Sequence, residues 1–275
     1  MHLKDSKIIV IKIGSSLLID ENKKIRKKWL SEFAKDIREL IKENKKIIIV
    51  SSGAIAMGCK KLNLSKKNLK LDKSQAVASI GQIELMNLFS KIFVKQKINI
   101  SQILLTLEDT EQRRRALNAK RTFDNLFQLG FVPIVNENDV VATEELELNF
   151  GDNDLLAVYL ATLIGADQLF FLTVAPGLLK EEETPEGKLS TVVEKVEELT
   201  DEILQHCIPV TSAGGKGGME SKVRSAGMAM SFGIDTYIMD GKSPAGVSDV
   251  MEGQRRGTHF VAHGRKIRSY QKWLA

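Results

Sequence analysis

Short apolar runs alternate with amphipathic helical patterns along the first part of the chain. The first run covers residues 7–14 (KIIVIKIG), and residues 26–44 follow with apolar side chains at helical spacing. A second run at 45–50 (KKIIIV) leads directly into the polar stretch SSGAIAMG. Two strands bridged by one helix are what a parallel, right-handed crossover requires. The pattern therefore predicts a βαβ unit.

The same alternation continues towards the end of the chain. Further strands are predicted at 100–106, 131–139, 166–174 and 234–241, with helices at 110–130, after residue 151 and at 219–232. Polar residues or glycines repeatedly follow the strands, and in open α/β sheets that edge binds ligands. The acidic segment that begins near residue 175 is expected to be a loop-rich insertion. The chain is thus predicted to be an α/β protein.

Composition excludes several classes of protein. A hydrophobic fraction of 43% and a charged fraction of 27% in 275 residues are those of an ordinary globular protein. Cys59 and Cys207 lie far apart without metal-ligand spacing, so neither a disulfide framework nor a zinc site is indicated. No stretch approaches the roughly 18 apolar residues of a membrane span. We expect a cytoplasmic protein without a membrane partner.

The net charge of +5 at pH 7 raises the question of a nucleic-acid partner. Most lysines, however, flank helical or strand patterns without interleaved aromatic residues, as on a solvated face. Nucleic acid is therefore an unlikely partner, and an anionic small molecule fits the charge equally well.

Two loops follow the first two strands and contain glycine. Lys12 and Gly14 end the first strand, and Ser52 and Gly53 end the second. Glycine permits close backbone approach and exposes N–H donors, while Lys12 adds a positive charge, which suits a phosphate or a carboxylate. Taken singly, each loop is more typical of a tight strand-to-helix turn.

A third loop, SAGGKGGMESK at 212–222, precedes a predicted helix. A helix N-terminus behind glycines is an anion site by geometry, and Lys222 on the first turn would point an ammonium group at the same place. No GxxxxGK[ST] sequence can be read there, and no GxGxxG follows the first strand. A standard P-loop NTPase and a Rossmann dinucleotide fold are both disfavoured.

Carboxylates and amides are concentrated in the middle of the chain. Asn136 and Asp139 end a predicted strand, and Asp152, Asn153 and Asp154 stand before an apolar helix. A helix N-cap accounts for the presence of one Asp or Asn in that trio, but it does not account for all three. Such groups could hold Mg²⁺, bind a substrate amino group or orient lysines. Because the histidines lie outside these loops and are expected at surface or capping positions, phosphoryl transfer is favoured over nucleophilic catalysis.

The motifs VIKIGSSLL, VSSGAIAMG, VPIVNENDVVATEE, FGDNDLLA and GGMESK occur in this order, and with them the whole chain resembles the glutamate 5-kinases of the amino acid kinase superfamily. The resemblance implies a single three-layer αβα sandwich with a mostly parallel sheet over residues 1–275. Within it a glutamate-binding half would cover about 1–165 and a nucleotide-binding half about 166–260. It further implies transfer of phosphate from ATP, with Mg²⁺, to the γ-carboxylate of L-glutamate, the first step towards proline.

Residue roles follow from the same resemblance. The residues implied in catalysis are Lys12, Lys222 and Asp154. Those implied in binding glutamate are Ser52, Gly53, Asn136, Asp139 and Asn153. Those implied in binding ATP are Lys12, Gly14, Ser15, Thr173, Val174, Lys216, Gly217, Gly218, Met219 and Lys222. No protein residue is implied as a metal ligand. A homo-oligomer, dimer or tetramer, and feedback inhibition by proline are also expected.

The chain departs from the family pattern at three places. Val174 stands where the family commonly has Asp after Thr173, and Lys216 replaces the usual Thr of the glycine loop. The chain also ends in RKIRSYQKWLA, too early for the C-terminal PUA domain of many relatives, so either a single-domain form or a chain truncated before that domain is expected. Two other readings stay open: another carboxylate kinase, similar to N-acetylglutamate kinase, and a non-catalytic RNA-binding or regulatory relative.

Overall fold

The fold is described by a computed structural model for residues 5–65, 69–142, 152–184, 187–207, 218–242, 246–254 and 256–263. The strands, numbered in chain order, are β1 (Ile8–Ile13), β2 (Lys46–Ser51), β3 (Asn99–Leu105), β4 (Phe131–Glu137), β5 (Gln168–Thr173), β6 (Leu179–Thr184), β7 (Gly187–Val192), β8 (Lys195–Val196), β9 (Asp235–Asp240) and β10 (Thr258–Phe260). The helices are α1 (Ser15–Leu18), α2 (Lys27–Lys42), α3 (Ala54–Lys61), α4 (Leu71–Phe93), α5 (Leu107–Glu111), α6 (Arg113–Gln128), α7 (Asp152–Ile164), α8 (Asp201–Gln205), α9 (Met219–Ser231) and α10 (Gly246–Met251).

Eight of the strands form one sheet in the order β3-β4-β2-β1-β5-β9-β10-β8. Neighbouring strands run parallel from β3 through β9, and β9 pairs with β10 in the antiparallel sense. The central strands are runs of buried, mostly β-branched residues, because a parallel sheet is covered on both faces. The carboxyl ends of the six parallel strands therefore lie at one edge of the sheet.

Helices cover both faces of the sheet and bury a separate apolar layer on each. On one face α2 and α4 contribute Phe33, Phe89 and Phe93. On the other face α6, α7 and α9 contribute Phe123, Leu160 and Met230, among others. This is the predicted αβα arrangement with a mostly parallel sheet, so the predicted fold class is confirmed.

The acidic segment after residue 175 was expected to be loop-rich, and that expectation is wrong. Strands β6 and β7 form an antiparallel hairpin there, with Glu181 opposite Ser190 and Leu179 opposite Val192. The ladder of backbone hydrogen bonds stabilises an extended pairing that charged composition alone does not indicate. The short strands β8 and β10 and the long helix α4 were likewise not predicted.

Helix α4 has an unusually apolar sequence. The stretch Leu71–Gln96 is long and apolar enough to cross a membrane, contrary to the expectation that no stretch approaches that length. Its 18-residue window of mean hydropathy 1.2 is half buried within the protein. Its buried side chains, such as Leu85 and Phe89, pack into the layer shared with α2. Burial against the sheet accounts for this composition, since a helix covered on several sides is apolar around much of its circumference.

Candidate active site

A buried cluster of two lysines and one aspartate lies at the carboxyl edge of the sheet. Lys12 Nζ is 2.5 Å from Asp154 Oδ1, and Lys222 Nζ is 3.2 Å from Asp154 Oδ2. The Asp154 side chain is fully buried, and both lysines are nearly so. The three residues come from β1, α7 and α9, far apart in the sequence. The structure thus brings together the three residues that the sequence implied in catalysis.

The charged groups of this cluster shift the pKa values of Asp154 and Lys222. Burial alone would raise the pKa of the Asp154 carboxyl, but the charges of Lys12 and Lys222 outweigh it and hold that pKa below its usual range. Burial also lowers the pKa of Lys222, assisted by the charge of Lys12 and opposed by that of Asp154. The cluster therefore contains a permanent carboxylate between two cations and has a net positive charge.

Helix starts place two members of the cluster. Asp154 is in the first turn of α7, and Lys222 is in the first turn of α9, whose N-cap is Gly218. Lys222 Nζ also donates to the Gly218 carbonyl oxygen at 3.4 Å, and the Ser221 hydroxyl donates to Asp154 Oδ2 at 3.2 Å. The N-terminus of a helix favours negative charge, so both helix starts suit a site for an anionic substrate.

A chain of hydrogen-bonded amides lies beside this cluster. Asn153 Nδ2 donates to Ser52 Oγ at 3.3 Å and to Asn136 Oδ1 at 3.2 Å. Asn136 Nδ2 in turn donates to Gln82 Oε1 at 2.8 Å. The structure therefore joins three predicted substrate-binding residues and adds Gln82 from α4. Only a prediction of α4 itself could have pointed to this glutamine.

The loop that carries Ser52 depends on one glycine. Gly53 has a φ of +118°, a left-handed conformation that favours glycine, and it is the N-cap of α3. At the neighbouring strand end, the Gly14 N–H donates to the Leu172 carbonyl oxygen at 3.4 Å, and α1 begins at Ser15. Both loops thus turn a buried strand into a helix at the sheet edge, as their sequences predicted.

Asp139 follows β4 and lies on the wall of a cavity near the amide chain. Gln82 and Glu137 line the same cavity. Carboxylates in this position favour a cationic group on a bound molecule.

Some of the predicted nucleotide-binding residues lie within the described part of the chain, and others lie outside it. The Thr173 carbonyl oxygen, at the end of β5, accepts from the Gly241 N–H at 2.7 Å. Val174 is partly buried and packs against the apolar layer of α2 and α4. Because its side chain is apolar, this strand end lacks the carboxylate that the family commonly has there. Gly218 and Met219 start α9. The remaining residues, Lys216 and Gly217, lie outside the described residues, as does most of the loop before α7.

Of the histidines, which were expected at surface or capping positions, His259 contacts an aspartate and a tyrosine. It is partly buried, its Nε2 is 3.0 Å from Asp235 Oδ1, and its ring stacks on Tyr237 at 4.4 Å between centroids. Asp235 opens β9, at the sheet edge opposite the lysine cluster. Pairing across the antiparallel strands β9 and β10 brings these rings together. His2 lies outside the described residues.

A protein-held metal ion would need several donor side chains to converge among the described residues. Within them no group of three or more His, Cys, Asp or Glu side chains could hold a metal ion. The carboxylate most central to the site, Asp154, has an ammonium group beside each of its oxygens. Both oxygens of Asp154 are therefore already engaged by ammonium groups and are not free to bind a cation.

Sequence comparisons identify close relatives. The model of the "Amino acid kinase family" matches residues 7–240. A glutamate 5-kinase of Pelagibacter ubique (strain HTCC1062) is 58% identical over 275 residues, which are 100% of this chain and 73% of that relative. A glutamate 5-kinase of Nitrobacter hamburgensis is 41% identical over 278 residues, 100% of this chain and 72% of its own length.

Solved structures share the fold at low sequence identity. The UMP kinase of Bacillus anthracis superposes with a TM-score of 0.61 at 12% identity, covering 94% of this chain and 97% of that one. The isopentenyl phosphate kinase of T. acidophilum gives a TM-score of 0.57 at 14% identity, with 92% and 100% covered. At such identities the likeness concerns the fold alone.

Proposed function

Because the chain belongs to the amino acid kinase family and, within it, to the glutamate 5-kinases, we propose that it transfers the γ-phosphoryl group of ATP to the γ-carboxylate of L-glutamate. The product would be L-glutamyl 5-phosphate, and the reaction would be the first step from glutamate towards proline. The observation that carries this proposal is the buried cluster of Lys12, Asp154 and Lys222. We place the enzyme in the cytoplasm, where both substrates are available.

The two lysines supply the electrostatic part of the proposed reaction. Phosphoryl transfer spreads negative charge over the oxygens of the transferred group, and catalysis depends on positioning and charge neutralisation. Lys12 contacts Oδ1 of Asp154, and Lys222 contacts Oδ2. The carboxylate therefore holds two like charges close together before the substrates bind. Asp154 acts here as the residue that positions the lysines and not as a base.

The γ-carboxylate of glutamate, which accepts the phosphoryl group, does not have to lose a proton before it reacts. A γ-carboxyl group has a pKa near 4.3 in water and is ionised at neutral pH, so it can attack the γ-phosphorus directly. The bond to the γ-phosphorus forms at a carboxylate oxygen while the bond to the bridging oxygen of ADP breaks. No step of this balance requires a histidine or a cysteine as base or nucleophile.

Glutamate is proposed to bind beside the amide chain. Asp139 would pair with the α-ammonium group, and Ser52, Asn136 and Asn153 would hydrogen-bond the remaining polar groups. Gly53 would let the backbone approach the substrate closely, since it carries no Cβ.

The nucleotide is proposed to lie across the starts of α1 and α9. The N–H groups of Ser15, Gly218 and Met219 lie at helix starts, where phosphate binds favourably, and Gly14 has no Cβ to obstruct the approach of a phosphate. Thr173, Val174, Lys216 and Gly217 would complete this side by their positions in the sequence. Mg²⁺ would enter with ATP, held by phosphate oxygens and water, as this ion commonly is.

The direct test is a coupled measurement of ADP release and acyl phosphate formation. We expect ADP release with MgATP and L-glutamate, and hydroxylamine should trap the product as γ-glutamyl hydroxamate. N-acetylglutamate in parallel should give neither signal, because an acylated nitrogen carries no positive charge for Asp139. Hydroxamate formed only from N-acetylglutamate would instead establish the other carboxylate kinase.

The non-catalytic RNA-binding alternative makes a different prediction. It would require sub-micromolar RNA affinity that falls steeply with salt, since each phosphate contact releases counterions. The intact lysine cluster favours the kinase, because two buried cations around one carboxylate are costly to retain without a role.

Assembly and regulation remain part of the proposal. We propose a homo-oligomer, and exposed apolar side chains near the β3 edge, Ile83 and Val141 among them, are compatible with one. We also propose inhibition by proline at the glutamate site. Sedimentation velocity at several concentrations tests the first, and competition between proline and glutamate tests the second.

A further inference from the structure

A buried oxygen in the site lacks a donor. Asn153 Oδ1 is inaccessible to solvent and has no hydrogen-bond partner among the residues that the structure describes. A buried acceptor without a donor costs free energy, whereas the Nδ2 atom of the same amide makes two hydrogen bonds. This asymmetry points to a donor that a bound molecule supplies.

The amide chain determines which end of Asn153 is free. A neutral amide has one donor end and one acceptor end. Gln82 Oε1 accepts from Asn136 Nδ2, which leaves Asn136 Oδ1 to accept from Asn153 Nδ2. Asn153 must then keep its Oδ1 atom for another donor. The orientation of Asn153 therefore depends on Gln82, two hydrogen bonds away.

Backbone packing holds Gln82 in place. Helix α4 lies so close to α3 at Gly81 that a Cβ there would come within 1.8 Å of the Ala54 carbonyl oxygen. Gln82 is the next residue and is 9% exposed, while Asn136 is 2% exposed. The first amide of the chain is thus anchored by a helix contact on one side of the site and is largely buried.

We propose that Gln82 is a positioning residue, which through Asn136 holds the amide of Asn153 with its carbonyl oxygen towards the α-ammonium group of glutamate. This inference rests on the proposed function. An ammonium group donates three hydrogen bonds, so Asn153 Oδ1 and the Asp139 carboxylate could each accept one. An N-acylated amino acid offers a single N–H and no charge, so the arrangement favours a free amino acid.

The test compares Gln82→Met with Gln82→Glu in steady-state kinetics. Methionine has a similar volume but cannot accept as an amide does, and we expect the KM for glutamate to rise about tenfold, the effect of one lost hydrogen bond. The kcat and the KM for ATP should change less than twofold. Glutamate at position 82 keeps the acceptor oxygen, and its KM should stay within about threefold of the wild type.

A double-mutant cycle tests whether Gln82 acts through Asn153. In an Asn153→Ala background, Gln82→Met should change the KM for glutamate by less than twofold, because the oriented oxygen is already absent. Gln128→Met, a change to an exposed glutamine at the end of α6, is the matched control and should behave as wild type. Thermal unfolding of each variant separates a local effect from a loss of folding.

Three results would overturn the inference. An unchanged KM in Gln82→Met would show that Gln82 does not act on glutamate binding. Equal rises of the KM in Gln82→Met and Gln82→Glu would show that Gln82 donates to Asn136 and does not accept from it. A full tenfold effect in the Asn153→Ala background would show that Gln82 acts elsewhere. If the wild-type chain formed no hydroxamate from glutamate, the proposed function itself would fail, and that result is distinct from these.

Discussion

Asp154 is the residue on which the proposed site depends most. Its carboxylate is fully buried and separates two ammonium groups that would otherwise repel each other. Removing one partner of a buried ion pair leaves uncompensated charge, which commonly costs about 3–5 kcal/mol. The same carboxylate therefore contributes both to stability and to the position of the lysines.

We predict that Asp154→Asn lowers kcat by about 10² or more, a loss of roughly 3 kcal/mol of transition-state stabilisation, because both lysines lose their common counterion. Steady-state kinetics and thermal unfolding measure the two effects. Ser221→Ala removes only a neutral hydrogen bond to the same carboxylate and should cost less than about tenfold. Equal losses in the two variants would contradict a role based on charge.

The pH dependence of kcat tests Lys222. Burial lowers the pKa of this lysine below 10.5, so its proton is lost at a lower pH than that of an exposed lysine. We expect kcat to fall on the alkaline side as Lys222 becomes neutral. In Lys222→Arg that decline should move to higher pH, since a guanidinium group stays charged. An identical alkaline profile in both proteins would assign the decline to another group.

At the scale of elements, α3 and α4 approach each other closely enough to exclude side chains. A Cβ at Gly58 would lie 2.1 Å from the Val77 carbonyl oxygen, and one at Gly81 would meet α3 in the same way. Helix α3 follows Ser52 directly, and Gln82 follows Gly81. The spacing of this helix pair therefore positions both ends of the amide chain.

We predict that Gly81→Ala destabilises the protein by about 1–3 kcal/mol, the usual cost of overpacking, and raises the KM for glutamate. Denaturant unfolding and kinetics measure the two changes. Ser90→Ala, at an exposed position on the same helix, should leave both within error of the wild type. A loss of stability without any change in KM would separate the helix contact from substrate binding.

Helices α2 and α10 meet at a buried carboxyl group. Burial of Asp36 raises its pKa from 3.8 to about 6, although donors at Ser248 and Val247 oppose the shift. The folded protein therefore favours the protonated form. The contribution of this group to stability is complete below pH 3.8 and is lost as the pH rises through about 6.

We predict that Asp36→Asn stabilises the protein at pH 8 by up to about 3 kcal/mol and has little effect at pH 4. The amide resembles the protonated acid and does not ionise. Thermal unfolding across this pH range measures the difference, with Glu43→Gln, at the exposed C-cap of α2, as the control. A gain that does not vary with pH would contradict an ionised, buried Asp36.

At the scale of the whole molecule, one sheet carries both proposed binding regions. Strands β1, β2 and β4 end at the proposed glutamate side, and β5 and β9 continue the same sheet towards the nucleotide side. Ligands at either side should therefore stabilise one cooperative unit.

We predict that L-glutamate at 100 times its Kd raises the free energy of unfolding by about 2.7 kcal/mol, in a single transition. The midpoint should rise by about 5 °C or more, and N-acetylglutamate at the same concentration should have no effect. Differential scanning calorimetry measures both. Asp139→Ala should abolish the response to glutamate, and a response that survives in this variant would remove Asp139 from ammonium binding.

Local patterns in the sequence determined most of the elements and several residues of the site. Apolar runs predicted the central strands, because buried parallel strands need such residues on both faces. Glycines and polar residues at the strand ends predicted which edge would bind ligands. Residue types marked Lys12, Lys222 and the trio that contains Asp154 as candidates, and their catalytic roles came from the family resemblance. These features are set by neighbours within a few residues of each other.

The tertiary structure alone decided how these residues meet. The sheet order brings β1, α7 and α9 together, so that Asp154 contacts lysines 142 and 68 positions away in the sequence, and it brings Gln82 to Asn136. The acidic hairpin likewise depends on strand pairing rather than on composition. Contacts between distant segments depend on the packing of the whole sheet and its helices, and no local pattern of residue types encodes them.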